Sequence, residues 1–386
     1  MAQPTTRIPF AGLDGRGDED TDLPEWYSDK LGLSTTQRDD ASTFQAVVQS
    51  LPQATTLTPG YYDEERDEWI RVDRKQAVVN PDWTGDALDD THRDDALWSF
   101  RSDSYKPVNP MEMYGPLIAV ARRRGATGAF GAIRQYRDGG EVALDLLFPS
   151  FTVGEGDQYV MGVQTGYSHY GDQSLWTEVI AFDRESGAEM RHLGDRMSRV
   201  HVGEATSETA AYHEQSLDGI EVACDTLAQV MDEARQYEFP IDEMPYSVTG
   251  FYEGLKLPQY LCEEATQRLV GDESTRDPER VDAWSIYLSL ATAITEEFDG
   301  KDGGALRSHN KAANKILFSP PSAESTVINY WQNELAGQET LSADDQQAKA
   351  TLADRYDSAQ EMVATYNDLK QTMKNLVDEA TSGGSQ

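Results

Sequence analysis

Long apolar runs are missing: no stretch of the 386 residues approaches the ~20 apolar side chains that span a bilayer, so no membrane segment is expected. The opening "MAQPTTRIPFAGLDGRGDED" lacks the apolar core of a secretory leader, which places the expected location in the cytoplasm. Cysteine is scarce. Cys224 and Cys262 are the whole complement, too few for a disulfide framework or a metal quartet, and both fall in helical patterns as small hydrophobes. The six histidines form no H-x-x-x-H or H-E-x-x-H pair. His192 and His201 flank a turn, but a zinc site there would have only Asp195 as a nearby third ligand. No G-x-x-x-x-G-K-[ST] phosphate loop and no G-x-S-x-G elbow occurs. "GATGAFG" leads into a strand, whereas a phosphate cradle wants a helix start after its glycines. No catalytic residue, metal or cofactor is therefore assigned.

Lysine is the other scarcity. Ten lysines accompany 23 arginines, against 68 Asp and Glu, for a formal charge of −35. The acids are spread along the chain, unlike an acidic tail. Mean hydropathy is −0.62, yet seven Trp, 18 Tyr and 11 Phe are too many for a disordered chain. Dispersed carboxylates with few lysines point to a folded protein of a molar-salt cytoplasm, as in halophilic archaea. There a Debye length of about 3 Å screens the self-repulsion.

Organisation along the chain predicts an α+β fold, with an antiparallel sheet region over about 65–185 and a helical C-terminal half. Residues 1–40, rich in Gly, Asp and Thr, read as a flexible acidic arm. The segment 41–205 reads as mainly β with one helix. "EWIRVDRKQAVV" and "ALWSFRSDSY" alternate, and "GAFGAIRQYRDGGEVALDLLFPS" reads as a hairpin turning at Asp138-Gly139-Gly140. "QYVMGVQTGY" and "SLWTEVIAFD" are two further strands. The one helix runs from about Pro110 to Arg124. Residues 206–340 read as helical, and 341–386 as a long amphipathic helix with a frayed tail. Leu352, Ala359, Tyr366 and Met373 repeat every seven residues, with Met362, Leu369 and Leu376 as a second row. That pattern fits packing on its own domain or a coiled-coil contact, and self-association is expected from it and from the strand edges.

Against this acidic background "ARRRGATGAFGAIRQYR", residues 121–137, holds five arginines and no acid. Arg122, Arg123 and Arg124 would cap the C-terminal turn of the 110–124 helix. Arg134 and Arg137 have no such role, and by strand alternation Arg134 faces away from Ile133. A second basic group comprises Arg191, His192, Arg196, Arg199 and His201, diluted by Asp195. Together with Tyr136 these residues would line a positive groove, the footprint of a nucleic-acid-binding surface. In molar salt the counterion term is nearly exhausted, so binding would lean on aromatic stacking by Phe130, Tyr136, Tyr159, Tyr167 and Tyr170. The same rings would equally serve as core.

Several segments between about 95 and 300 carry a resemblance. "LWSFRSDSYKPVNPMEMYGPL", "GGEVALDLLFP", "GYSHYGDQSLWTEVIAFDRESG", "MSRVHVGEA" and "LSLATAIT" are similar to elements of the phage/plasmid-like protein family, domain of unknown function 932. The resemblance implies a gene carried by viruses, plasmids or integrated elements. It brings no activity with it, and a layout similar to ring-forming annealing proteins is fold analogy alone. Two function classes follow: a non-enzymatic, oligomeric nucleic-acid binder, in its most concrete form a single-strand binding or annealing protein, and a structural component of a virus particle. A cytosolic enzyme with an unrecognised site stays open as a third.

Overall fold

In the computed structural model the described residues are 6–15, 22–80, 97–126, 128–136, 139–171, 174–191, 193, 197–199, 206–271, 280–298, 304–337 and 342–382. The chain divides into two compact units, one of residues 1–227 with 300–302 and one of 228–299 with 303–386.

The first unit holds β1 (Thr6–Ala11), α1 (Glu25–Lys30), α2 (Thr35–Asp39), α3 (Phe44–Ser50), β2 (Thr55–Leu57), β3 (Gly60–Asp63), β4 (Glu68–Arg71), β5 (Lys75–Val79) and β6 (Leu97–Ser102). There follow α4 (Pro110–Arg123), β7 (Phe130–Tyr136), β8 (Glu141–Val153), β9 (Tyr159–Ser168), β10 (Leu175–Asp183), β11 (Glu189–Met190) and β12 (Met197–Arg199). Helix α5 (Thr206–Gln236) starts here, and the division between the units falls inside it.

The main sheet is antiparallel, in the order β1-β7-β8-β9-β10-β11, with β12 also on β10. The expected hairpin of β7 and β8 is there, with Tyr136 opposite Glu141. Gly139 sits in its turn at φ 82°, a backbone region that side chains disfavour. One sheet face is apolar. Ile133, Leu144, Leu146, Val163 and Tyr167 are buried on it. The ring of Tyr114 on α4 packs tilted against Tyr167, centroids 6.1 Å apart, and Phe44 and Phe10 continue the aromatic layer. Phe10 occupies the space above Gly131, where a Cβ would collide with the Asp145 carbonyl. The opposite face has an apolar end built from Phe130, Leu147, Ile180 and Phe182 under Tyr27 of α1.

Residues 6–15 and 22–40 therefore depart from the expected flexible arm. Ile8, Phe10 and Leu13 supply enough apolar surface to add β1 to the sheet edge, and Leu23 and Tyr27 are buried beside it. Residues 1–5 and 16–21 of that arm lie outside the described residues.

Helix α4 is set by local chemistry. Pro110 takes the first helical position, and the Glu112 carboxylate accepts from the Asn109 N–H at 2.9 Å. At the far end Gly125, at φ 69°, turns the chain left-handed, and the Ala126 N–H closes back on the Ala121 carbonyl at 2.9 Å.

Strands β2, β5 and β6 form a separate three-stranded sheet, and β3 and β4 a two-stranded one. The expected strand over 68–79 breaks at 72–74 into β4 and β5.

The second unit is helical. It comprises the end of α5, the short pair β13 (Glu238–Phe239) and β14 (Val281–Asp282), and helices α6 (Val248–Gly254), α7 (Gln259–Val270), α8 (Ala283–Glu297), α9 (Gly304–Phe318), α10 (Pro320–Ala336) and α11 (Ala343–Ser382). Phe239 meets Phe251 at 4.7 Å, and the Trp331 indole N–H donates to the Gly250 carbonyl at 3.0 Å. Leu352 and Ala359 of α11 are fully buried, so the first heptad positions pack on their own unit. Among the described residues no helix is long and apolar enough to cross a membrane.

Candidate functional site

The five arginines of residues 121–137 do not gather into one groove. Arg122 pairs with Asp14. Arg123 reaches Glu214 at 2.7 Å, and Arg124 spans Glu214, Asp218 and Glu221 at 3.0, 2.5 and 3.2 Å. Those three acids lie four and three residues apart, on one face of α5. The hydrogen bond to Asp218, then those to Glu214, hold the Arg124 guanidinium more firmly protonated than usual, against the opposing effect of burial. The end of α4 is thus clamped to an acidic stripe.

Arg134 is turned inward. It lies on the face of β7 opposite Ile133, as alternation predicts, but that face is covered and only 6% of the residue is exposed. Two hydrogen bonds, 2.5 and 3.0 Å, tie its guanidinium to Asp145 on β8, and Gln164 on β9 donates to the same carboxylate at 3.0 Å. Arg191 joins this band: it pairs with Glu189 and approaches Asp145 at 3.9 Å. Lys30 of α1 completes it, 3.1 Å from Glu189 and donating to the Gly187 carbonyl at 2.6 Å. Burial pushes the Glu189 carboxyl up, but Arg191, Lys30 and Arg134 outweigh it and hold the group well below the usual carboxylate range. The three cations and two anions form a buried ionic layer in the sheet.

Tyr136 packs with Ala143 and Trp176 and is 3% exposed, so it presents no ring face for a base to stack on. Phe130, Tyr159 and Tyr167 are likewise core. Arg199 ends β12 opposite Leu175. Arg137, Arg196 and His201 lie outside the described residues, as do His192 and Asp195. The groove expected from Arg122, Arg123, Arg124, Arg134, Tyr136 and Arg191 is therefore corrected. Each of these cations is matched to a carboxylate, which is how one basic segment fits a chain of charge −35.

A different surface stands out. Leu57, Tyr61, Tyr62, Trp69, Leu97 and Phe100, all from β2 to β6, are 38–72% exposed. Leu57, Ala77 and Phe100 stand in one row across β2, β5 and β6. On the hairpin of β3 and β4, Tyr62 is opposite Trp69, ring centroids 5.8 Å apart, and Tyr61 is opposite Ile70 on the other face. Both faces of this hairpin are open. The turn is held by Asp63, whose carboxylate accepts from the Glu65 and Arg66 N–H groups at 3.0 and 3.2 Å. This surface is not among the expected sites. Its only signal is "GYYDEERDEWIR", aromatic residues in a charged run with no apolar face to bury them.

No family model, curated protein or solved structure matches the chain.

Proposed function

We propose that the chain is a structural subunit of an assembly, such as a virus particle, that forms by self-association in a halophilic host. The observation that carries this reading is the exposed apolar surface of β2–β6. Its six side chains leave roughly 600 Å² open, taking about 200 Å² for each large apolar side chain, with Tyr61 on the hairpin face opposite Tyr62 and Trp69, and exposed apolar area on this scale marks interaction sites. The nucleic-acid reading fares less well. Its described arginines are engaged by carboxylates of the chain itself, and its tyrosines are largely core. Molar salt suits the assembly reading, because screening removes the repulsion between subunits each carrying −35.

Sedimentation of the full chain across salt tests both parts. In about 2 M KCl we expect cooperative folding and oligomers that grow with concentration. At roughly 0.01 M, where the Debye length reaches about 30 Å, we expect loss of circular-dichroism signal and of association. A monomer at every salt concentration overturns the assembly reading. Equal folding at both ends of the range removes the halophile argument.

A further inference from the structure

We infer that the hairpin of β3 and β4 is the contact element, and that it docks on the same hairpin of a second copy, antiparallel, about a two-fold axis. This rests on the assembly reading above and names its partner and site.

An isolated two-stranded hairpin is marginal in water and needs a third strand or a packed layer for stability. Here Tyr61 is 54%, Tyr62 46% and Trp69 72% exposed, with rings on both faces, so among the described residues no such layer covers the tip. Burial of the Tyr62–Trp69 face against a like surface, with Leu57, Leu97 and Phe100 counted and Tyr61 left on the outer face, would remove about 1,000 Å² over two copies, the lower bound for a specific interface.

Charge selects the partner. Asp63, Glu64, Glu65, Asp67 and Glu68 crowd the turn with one arginine, Arg66, while Arg71, Arg74 and Lys75 lie at the base of the hairpin beside a single acid, Asp73. Apart from the half-buried Asp63 these side chains are exposed. The ion pairs within the hairpin, Arg66 to Asp63 and Arg71 to Asp73, are loose at 3.7 Å. The hairpin therefore carries an acidic tip and a basic base about four residues apart, ~13 Å along a strand. A two-fold antiparallel arrangement sets each tip over the other's base and is self-complementary, as an isologous contact requires. A nucleic-acid strand, which the same rings would stack, meets five carboxylates at the tip.

The test uses the full chain in about 1 M KCl, where folding is retained and short-range charge contacts persist. Three forms are compared by analytical ultracentrifugation: unaltered, Tyr62→Ser with Trp69→Ala, and Arg71→Glu with Arg74→Glu. Arg71 and Arg74 are exposed, so circular dichroism should be unchanged in the charge variant, which tests docking alone, whereas Tyr62→Ser with Trp69→Ala also removes the hairpin's own ring pair. We expect each variant to weaken self-association at least roughly tenfold. Mixing the Arg71→Glu/Arg74→Glu form with a Glu64→Arg/Glu65→Arg form should restore association between the two. If the unaltered chain associates and the variants match it, the hairpin inference falls and the assembly reading stands. If the unaltered chain is monomeric, both fall. A labelled oligonucleotide that binds the unaltered chain and not the Trp69 variant overturns the second-copy partner in favour of a nucleic acid.

Discussion

Arg355 of α11 closes on Glu324 of α10 through two hydrogen bonds, Nε to Oε1 at 2.6 Å and Nη2 to Oε2 at 3.0 Å. The Glu324 side chain is 1% exposed, and the Tyr237 hydroxyl donates to the same carboxylate at 2.5 Å. Burial raises the Tyr237 hydroxyl far above its ordinary value, with the Glu324 charge adding to the effect, so it remains a donor at every accessible pH. With Leu352 and Ala359 buried on the same stretch of helix, this pair fixes the start of α11 to its unit. Arg355→Ala leaves a buried carboxylate with a tyrosine as its only remaining partner among these groups, and should cost about 3–5 kcal/mol. Chemical denaturation checks this, and Glu324→Gln in the Arg355→Ala background should recover part of the loss. Equal stability of both variants and the unaltered chain would mean that the pair does not hold α11.

Arg134 and Arg123 differ in kind despite their proximity in sequence. Arg134→Gln removes both guanidinium hydrogen bonds from Asp145, leaving it Gln164 and the more distant Arg191, and should destabilise the first unit by about 2–4 kcal/mol. Arg123 is 64% exposed, and Arg123→Gln should cost less than about 1 kcal/mol. Thermal unfolding of the two variants in matched high salt decides the point. A small effect at Arg134 would contradict the buried ionic layer.

Glu189 gives that layer a pH dependence. Its folded carboxyl titrates below the unfolded value of about 4.3, so its contribution is fully present above that pH and is lost as pH falls through the folded value. Glu189→Gln should therefore be less stable than the unaltered chain at pH 7, with the gap narrowing below about pH 4. A gap independent of pH would show that charge pairing with Arg191 and Lys30 is not what Glu189 contributes.

Thiol chemistry offers a check on each unit separately. Burial pushes the Cys224 thiol up to about 11 and the Cys262 thiol up to about 12, with nearby carboxylates adding to both. Cys262 is fully buried and donates weakly to the Leu257 carbonyl at 3.7 Å. In the folded chain both should resist a thiol reagent at pH 8, Cys262 for as long as its unit stays closed, and both should react at once in denaturant. Fast labelling of Cys262 in native conditions would be inconsistent with its position in α7.

Much of the sheet was legible. Strands β7 to β10 follow alternation, and the hairpin turn follows from its glycines. The partners of the arginines were not, for two reasons. Asp145 stands as an acid inside the apolar run "ALDLL", in step with Ala143 and Leu147, but alternation does not say that this face is covered or which cation meets it there. Glu214, Asp218 and Glu221 were visible as an acidic stripe, but nothing local says that α5 lies beside the end of α4, some 90 residues earlier. Ile8 and Phe10 were hidden by the Gly- and Asp-rich run that follows them, and a six-residue edge strand is stabilised by a neighbour that the segment itself does not contain. The hairpin of β3 and β4 was not legible: Glu68–Arg71 falls inside a single expected strand over 68–79, and periodicity reports alternation and not whether either face finds cover.

The edge position of β1 has a consequence for synthesis. Its partner β7 begins with Phe130, opposite Ala11, so at about 5–20 residues per second the ribosome delivers it roughly 6–25 s after β1 has emerged. Through that interval "RIPFAG" waits as an apolar segment with unpaired backbone groups, the form in which nascent chains stick to one another. The run that follows, Asp14, Asp18, Glu19, Asp20 and Asp22, keeps five carboxylates beside it. Those acids act as gatekeepers during translation, holding the first strand of the sheet in solution until the strand it pairs with has been made.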